Sequence, residues 1–180
     1  TIVKNNKNNM ISIKKKPTPQ PIEQQTKAII EQYRQDQKGK GIGGGLYTSQ
    51  IIKIMHKVPK FIGCIASDQF STLLNRIKPH SEIGFISNLD PSTQGGSHWV
   101  AFVINGSDRS PDAHSILYFD PFGKDIPNNM LHSLKQIAEK IDPDHMMKLK
   151  INRVQHQNVL TENCGFFAAN FILDILSRGK

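Results

Sequence analysis

At 180 residues, with 37% apolar content and a mean hydropathy of −0.41, the chain has room for one domain with a real core and not comfortably for two. No apolar run approaches the roughly 18 residues that cross a bilayer. Residues 1–40, rich in Lys, Asn and Gln, lack the apolar stretch of a secretory signal peptide, so neither membrane nor export is expected. The net charge of +8 is unevenly placed: residues 1–40 hold nine Lys/Arg against three Asp/Glu, a surplus of +6 that leaves +2 for the rest. Such a basic stretch suits a polyanionic neighbour such as nucleic acid, or a solvated tail.

The chain divides into an arm, residues 1–45, and a body, residues 46–180. The arm opens with a strand-like piece, Met10-Ile11-Ser12-Ile13, running into Lys14-Lys15-Lys16, and then a proline joint from Pro17 to Pro21. Ile22, Ile29, Ile30 and Tyr33 recur at helical spacing, with Pro21 tolerated at the first turn. A glycine-rich loop from Gly39 to Gly45 closes the arm.

In the body, Thr48 or Ser49 caps a predicted helix reaching Lys57, with Ile51, Ile54, Met55 and Val58 on one face. A second predicted helix, Ser67 to Lys78, presents Phe70, Leu73, Leu74 and Ile77. Three strand-like runs follow, Ile83–Leu89, Trp99–Ile104 and Ser115–Phe119, and the near-continuous apolar character of the second predicts a central strand covered on both faces. Pro127–Ile141 reads as an amphipathic helix, Lys148–Val154 as an alternating strand with Leu149 and Ile151 on one face, and Gly165–Leu176 as a strongly apolar helix. Helices around a sheet of four or five strands give an α+β fold.

The two cysteines, Cys64 and Cys164, are too few and too far apart for a disulfide framework, which suits a reducing compartment. No metal site is expected: no Cys or His pair has ligand spacing, and His56, His80, His114, His132, His145 and His156 read as scattered surface or structural residues. His98, in Gly95-Gly96-Ser97-His98-Trp99, stands at the entrance of the buried strand, and Asp120, in Tyr118-Phe119-Asp120-Pro121-Phe122-Gly123, at the exit of the next. If those strands are neighbours, entrance and exit share one end of the sheet and an imidazole–carboxylate pair can form. Cys164, at the start of an apolar helix, has unpaired N–H groups and the helix dipole to favour thiolate. Gly165 leaves space for a substrate carbonyl. The Cys164 N–H and the side-chain amide of Gln157 supply two oxyanion donors. His98 would then exchange a proton with Cys164 and later protonate a leaving amine, with Asp120 fixing its tautomer.

The order His98, Asp120, Gln157, Cys164 and the local words around them resemble adenain, the adenovirus maturation protease, and its relatives that cleave SUMO-type conjugates. Gly-Gly-x-His-Trp with its apolar strand is similar to the family's histidine region, and Tyr118 to Gly123 to its acidic region. Gln157 through Cys164-Gly165-Phe166 is similar to its glutamine–cysteine region, with Gln155 a rival for Gln157. The likeness extends upstream over Leu46 to Phe70 and covers about residues 46–177. It departs from the family at both ends: residues 1–45 have no counterpart, and little follows the cysteine helix, so the resemblance does not by itself imply the family's DNA-binding surface.

The resemblance implies an adenain-like fold and a viral cysteine endopeptidase that processes virion or capsid precursors at Gly-Gly-type sites. It needs no cofactor for the chemistry, and is expected as a monomer in the virion or the host-cell interior. Ile42-Gly43-Gly44-Gly45 before Leu46 fits the family's cleavage pattern and is a candidate self-cleavage site, with a plain flexible linker as the alternative reading. Ile11, Ser12 and Ile13 resemble the core of the family's activating peptide and would form an activating strand supplied in cis, with DNA as a polyanion cofactor reached through the basic arm; the alternative reading is a chance run in a Lys/Asn-rich tail. Two alternatives stand beside this: a deconjugating protease for a ubiquitin-like protein, and a non-enzymatic, basic nucleic-acid-binding virion protein.

Overall fold

A computed structural model describes residues 20–37, 45–109, 112–158 and 162–178. The strand-like piece at Ile11, Ser12 and Ile13, and the glycines before Gly45, lie outside the described residues. Helix α1 (Ile22–Gln37) is followed by α2 (Thr48–Met55), β1 (Phe61–Ile65), a short 3₁₀ helix (Phe70–Arg76), β2 (Glu82–Asn88), β3 (Trp99–Asn105), β4 (Ser115–Phe119), α3 (Asn128–Ile141), β5 (Lys148–Ile151) and α4 (Cys164–Leu176).

The five strands lie in sequence order, β1-β2-β3-β4-β5. The outer pairs, β1 with β2 and β4 with β5, are parallel, and the inner pairs are antiparallel. The fold is therefore α+β with a mixed sheet. β3 is the middle strand and is buried along its whole length, as its apolar run predicts. The exposed edge strand β5 shows a different outcome: Leu149 lies on the edge and is open to solvent.

Two cores result. On one face of the sheet, α1, α2 and α4 bury Ile30, Ile51, Met55, Ile172 and Leu173 against β2 and β3. On the other, α3 and the 3₁₀ turn enclose Phe70, Phe85, Phe102 and Tyr118, whose rings contact one another edge-on, stacked or tilted. Helix α1, assigned to the arm on sequence, packs on α4 with Thr26 and Ile30 buried, and Lys27 reaches Asp174 of α4 at 3.2 Å.

Three expectations are corrected. The predicted helix over Ser67 to Lys78 is a 3₁₀ helix, Phe70–Arg76, because its buried residues Phe70 and Leu73 recur every three positions while Leu74 is only half-buried. β1 has no counterpart in the sequence reading; it is short, interrupted by Gly63, and bulged between Phe61 and Gly63. Finally, His114 and His145 are not scattered singles. Both meet Asp142, because the fold sets the entrance of β4 beside the end of α3, a proximity that local spacing cannot reveal.

Candidate active site

β3 and β4 pair antiparallel, with Ala101 opposite Phe119, so the residue before β3 and the residue after β4 share one end of the sheet. There His98 Nε2 lies 2.7 Å from Asp120 Oδ1, and both side chains are buried. Cys164 is the second group acting on this ring, through hydrogen bonding and charge. Burial by itself would lower the His98 pKa, but the hydrogen bonds to Asp120 and Cys164 and their charges outweigh it, raising the pKa to about 9.

Each member is held by a local device. The Phe122 ring stacks on the His98 imidazole, centroids 4.4 Å apart and planes 12° from parallel. Asp120-Pro121-Phe122-Gly123 is a tight turn, closed by the Gly123 N–H donating to the Asp120 carbonyl at 2.8 Å. Gly123 has φ +70, and a side chain there would meet the Val154 and Arg153 backbone at 3.0–3.1 Å, so glycine is required twice over. Asn152 was not singled out in the sequence. Its Oδ1 accepts from the Asp120 N–H at 2.8 Å and its Nδ2 donates to the Asp120 carbonyl at 2.9 Å, clamping the acid's backbone. The histidine loop is tied down in turn, with Asp90 accepting from the Ser97 N–H at 2.7 Å and the Leu89 N–H donating to the His98 carbonyl at 3.0 Å.

Cys164 is the first residue of α4 and is buried. Gly165 follows where α4 crosses Leu46 and Trp99 so closely that a Cβ would sit 3.0 Å from the Leu46 Cβ and 3.2 Å from Trp99 Cδ1. Trp99 fixes this crossing by donating its indole N–H to the Leu46 carbonyl at 2.8 Å. The N–H groups of His156 and Gln157 both donate to the Pro121 carbonyl, at 2.8 and 3.0 Å, which brings the glutamine segment to the Asp120 turn. Gln157 is buried and Gln155 exposed, the latter donating to the Gln157 carbonyl at 2.8 Å.

A cleft of about 840 Å³ opens onto Cys164, with Trp99, Asn88, Gly95 and Gly96 on its walls. Gly45 and Leu46 line it too; Leu46 is buried and the Gly45 N–H donates to Glu162 Oε2 at 3.3 Å. Cys64 also lines it, with its thiol pushed up to about 12 by burial, and both cysteines are free. Among the described residues no helix is long and apolar enough to cross a membrane.

The sequence profile of the adenovirus endoprotease family matches residues 61–177. Two proteins of African swine fever virus, a SUMO-1 cysteine protease and a cysteine protease, are 29% identical over 97 residues, 53% of this chain and 34% of theirs. The match thus spans about a third of those relatives' length. In fold, the chain is similar to the crystal structure of the ASFV pS273R protease and to its selenomethionine form, each with a TM-score of 0.54 at 20% identity, covering 76% of this chain and 59% and 60% of those chains. With the family profile spanning most of the body, the chain belongs to the adenovirus endoprotease family of cysteine proteases.

Proposed function

We propose that this chain is a cysteine endopeptidase in which Cys164 is the nucleophile, His98 the general base and acid, Asp120 the group that orients His98, and Gln157 an oxyanion donor beside the Cys164 N–H. The observation that carries this reading is the buried His98 ring, paired with Asp120 at 2.7 Å and acted on by the thiol of Cys164 at the start of α4. The ring takes the thiol proton, and sulfur attacks the substrate carbonyl as the thiolate. The negative oxygen that develops is met by the Cys164 N–H and the Gln157 amide. Collapse breaks the C–N bond, and the imidazolium hands its proton to the departing amine. Water, deprotonated by the same ring, then hydrolyses the thioester and frees the sulfur. No cofactor enters these steps.

The substrates proposed are viral precursor proteins cut after Gly-Gly-type sequences, in the virion or inside the host cell. This choice rests on the family resemblance. Gly45 and Leu46 stand on the wall of the cleft that holds Cys164, which supports self-cleavage between them. The cis activating strand and DNA as a cofactor remain part of the same proposal. A second reading is removal of a ubiquitin-like protein, favoured by the SUMO-1 protease name of the African swine fever virus relatives.

The test is an electrophilic peptide ending in Gly-Gly. It should modify Cys164 and spare Cys64, and Cys164→Ala should abolish cleavage of a peptide carrying the same site. Full cleavage by Cys164→Ala ends the proposal. Faster turnover of a folded ubiquitin-like precursor than of the peptide selects the second reading.

A further inference from the structure

At the opposite end of β4 from Asp120 lies a second cluster of chemistry-bearing side chains that the proposed mechanism does not use. His114 immediately precedes β4, Asp142 caps the C-terminus of α3, and His145 stands in the turn that follows. The Asp142 side chain is wholly buried, and imidazole nitrogens engage both its oxygens: His114 Nδ1 is 2.5 Å from Oδ2 and His145 Nδ1 is 2.9 Å from Oδ1. The two rings have centroids 4.1 Å apart, and one ligand atom from each of the three residues falls within 4.8 Å of the others. The remaining nitrogen of His114, Nε2, is 2.7 Å from Asp108 Oδ1.

A histidine with a carboxylate on each nitrogen has a simple proton problem. A neutral imidazole owns one N–H, so its other nitrogen meets a carboxylate lone pair to lone pair unless a second proton or a cation lies between them. With a cation in place of that second proton, Asp108 holds the remaining one at Nε2 and the Nδ1 lone pair of His114 is free for the ion. This is how an outer carboxylate fixes the tautomer of a metal-ligating histidine. Two imidazole nitrogens and one buried carboxylate make a donor set of the borderline kind that suits Zn²⁺.

We propose that His114 Nδ1, His145 Nδ1 and the Asp142 carboxylate bind one Zn²⁺, with Asp108 orienting His114 from behind. The hydrated ion replaces the protons shared between the imidazoles and Asp142, which are released to solvent, and keeps a water as its fourth ligand. The ligand atoms need to open slightly to accommodate Zn–N bonds of about 2.0–2.1 Å. The His145 side chain, 53% exposed on its turn, is free to do so. Bound there, the ion ties the entrance of β4 to the end of α3, away from the cleft, so its effect is on stability rather than turnover.

Zinc also binds thiolate–imidazole pairs, so the test uses the full chain with Cys164→Ala and adds the metal alone. Calorimetric titration with ZnCl₂ should give one equivalent bound and a raised Tm. CoCl₂ in its place should give visible d–d bands without a thiolate charge-transfer band. His145→Ala should weaken binding by more than Asp108→Asn, for which a loss of about 10–100-fold is expected. In an otherwise wild-type chain stripped of metal, His145→Ala should leave peptide cleavage unchanged. Failure of the Cys164→Ala chain to bind zinc, a thiolate band with cobalt, or undiminished affinity in His145→Ala each overturns the site. Undiminished affinity in Asp108→Asn overturns the orienting role given to Asp108.

Discussion

His98 is buried to 8% exposure, where desolvation favours the neutral ring, yet its pKa is raised to about 9 because Asp120 and Cys164 favour the charged one. A folded-state pKa above the ordinary value near 6.5 means that this contribution to stability is complete below about pH 6.5 and is lost as pH rises through about 9. Catalysis follows the same sign, since protonation of the leaving amine requires imidazolium. The expected result is a kcat/KM profile with an alkaline limb near pH 9. Asp120→Asn removes the charge that holds the proton and should move that limb down by about 1–3 units, with activity reduced rather than abolished. A limb that stays in place in Asp120→Asn would mean that another group titrates.

Gln157 has its prediction at this scale too. Gln157→Ala should cut kcat by about 10²–10³ while changing KM little, the mark of a donor that acts on the transition state. A loss confined to KM would make it a substrate-positioning residue, and a large kcat loss in Gln155→Ala would exchange the two roles. The placement of His98, Asp120 and Cys164 was legible in the sequence because each sits at the boundary of an element with an unmistakable apolar pattern. Asn152 was not legible: an Asn leaving an edge strand looks like any turn residue until its two hydrogen bonds to the Asp120 backbone are seen.

Among elements, α4 is the one whose placement decides the site, since it begins with Cys164 and ends on the sheet. Near its C-terminal end it rides over Gly84 of β2, where an added Cβ would lie 2.9 Å from Leu176 Cδ1 and 3.1 Å from two Ile172 carbons. Both side chains are buried in the core, so room for an added methyl has to come from shifting packed neighbours. Gly84→Ala is therefore expected to destabilise by about 1–3 kcal/mol through overpacking, read as a lower urea midpoint with an unchanged m-value. An unshifted midpoint would show that the α4–β2 contact is looser than the structure has it. The sequence revealed α4, β3 and β4 readily, because long apolar runs allow few other readings. It concealed β1 and the 3₁₀ turn, where Gly63, a bulge and a three-residue period defeat both strand and helix templates. The exposure of Leu149 had a related cause, since alternation along β5 marks a face without saying that the face is covered.

For the molecule as a whole, the open question is what the first 45 residues contribute, and the packing of α1 supplies a way to answer it. Ile30 of α1 is buried to 3% exposure in the same core as Ile172 and Leu173 of α4, and Lys27 pairs with Asp174. Removing residues 1–45 therefore uncovers part of α4, whatever the basic segment before α1 does. A chain beginning at Leu46 should melt lower, by about 2–4 °C for each kcal/mol of burial lost in a domain of this size. Ile30→Asp in the intact chain should reproduce that loss, by placing a charge where the core has no partner for it. The proposed activating strand predicts a separate effect on rate. The shortened enzyme should be slow, and a peptide of residues 8–18 should restore its turnover in a saturable way without restoring its Tm, because that peptide lacks α1. Substituting Asp for Ile11 and Ile13 in the full chain should lower turnover and leave Tm where it was. The two readouts thus separate a helix that covers the core from a strand that activates the site. If the chain starting at Leu46 turns over as fast as the whole protein, the strand has no such role. If it also melts at the same temperature, the contact between α1 and α4 adds nothing to stability.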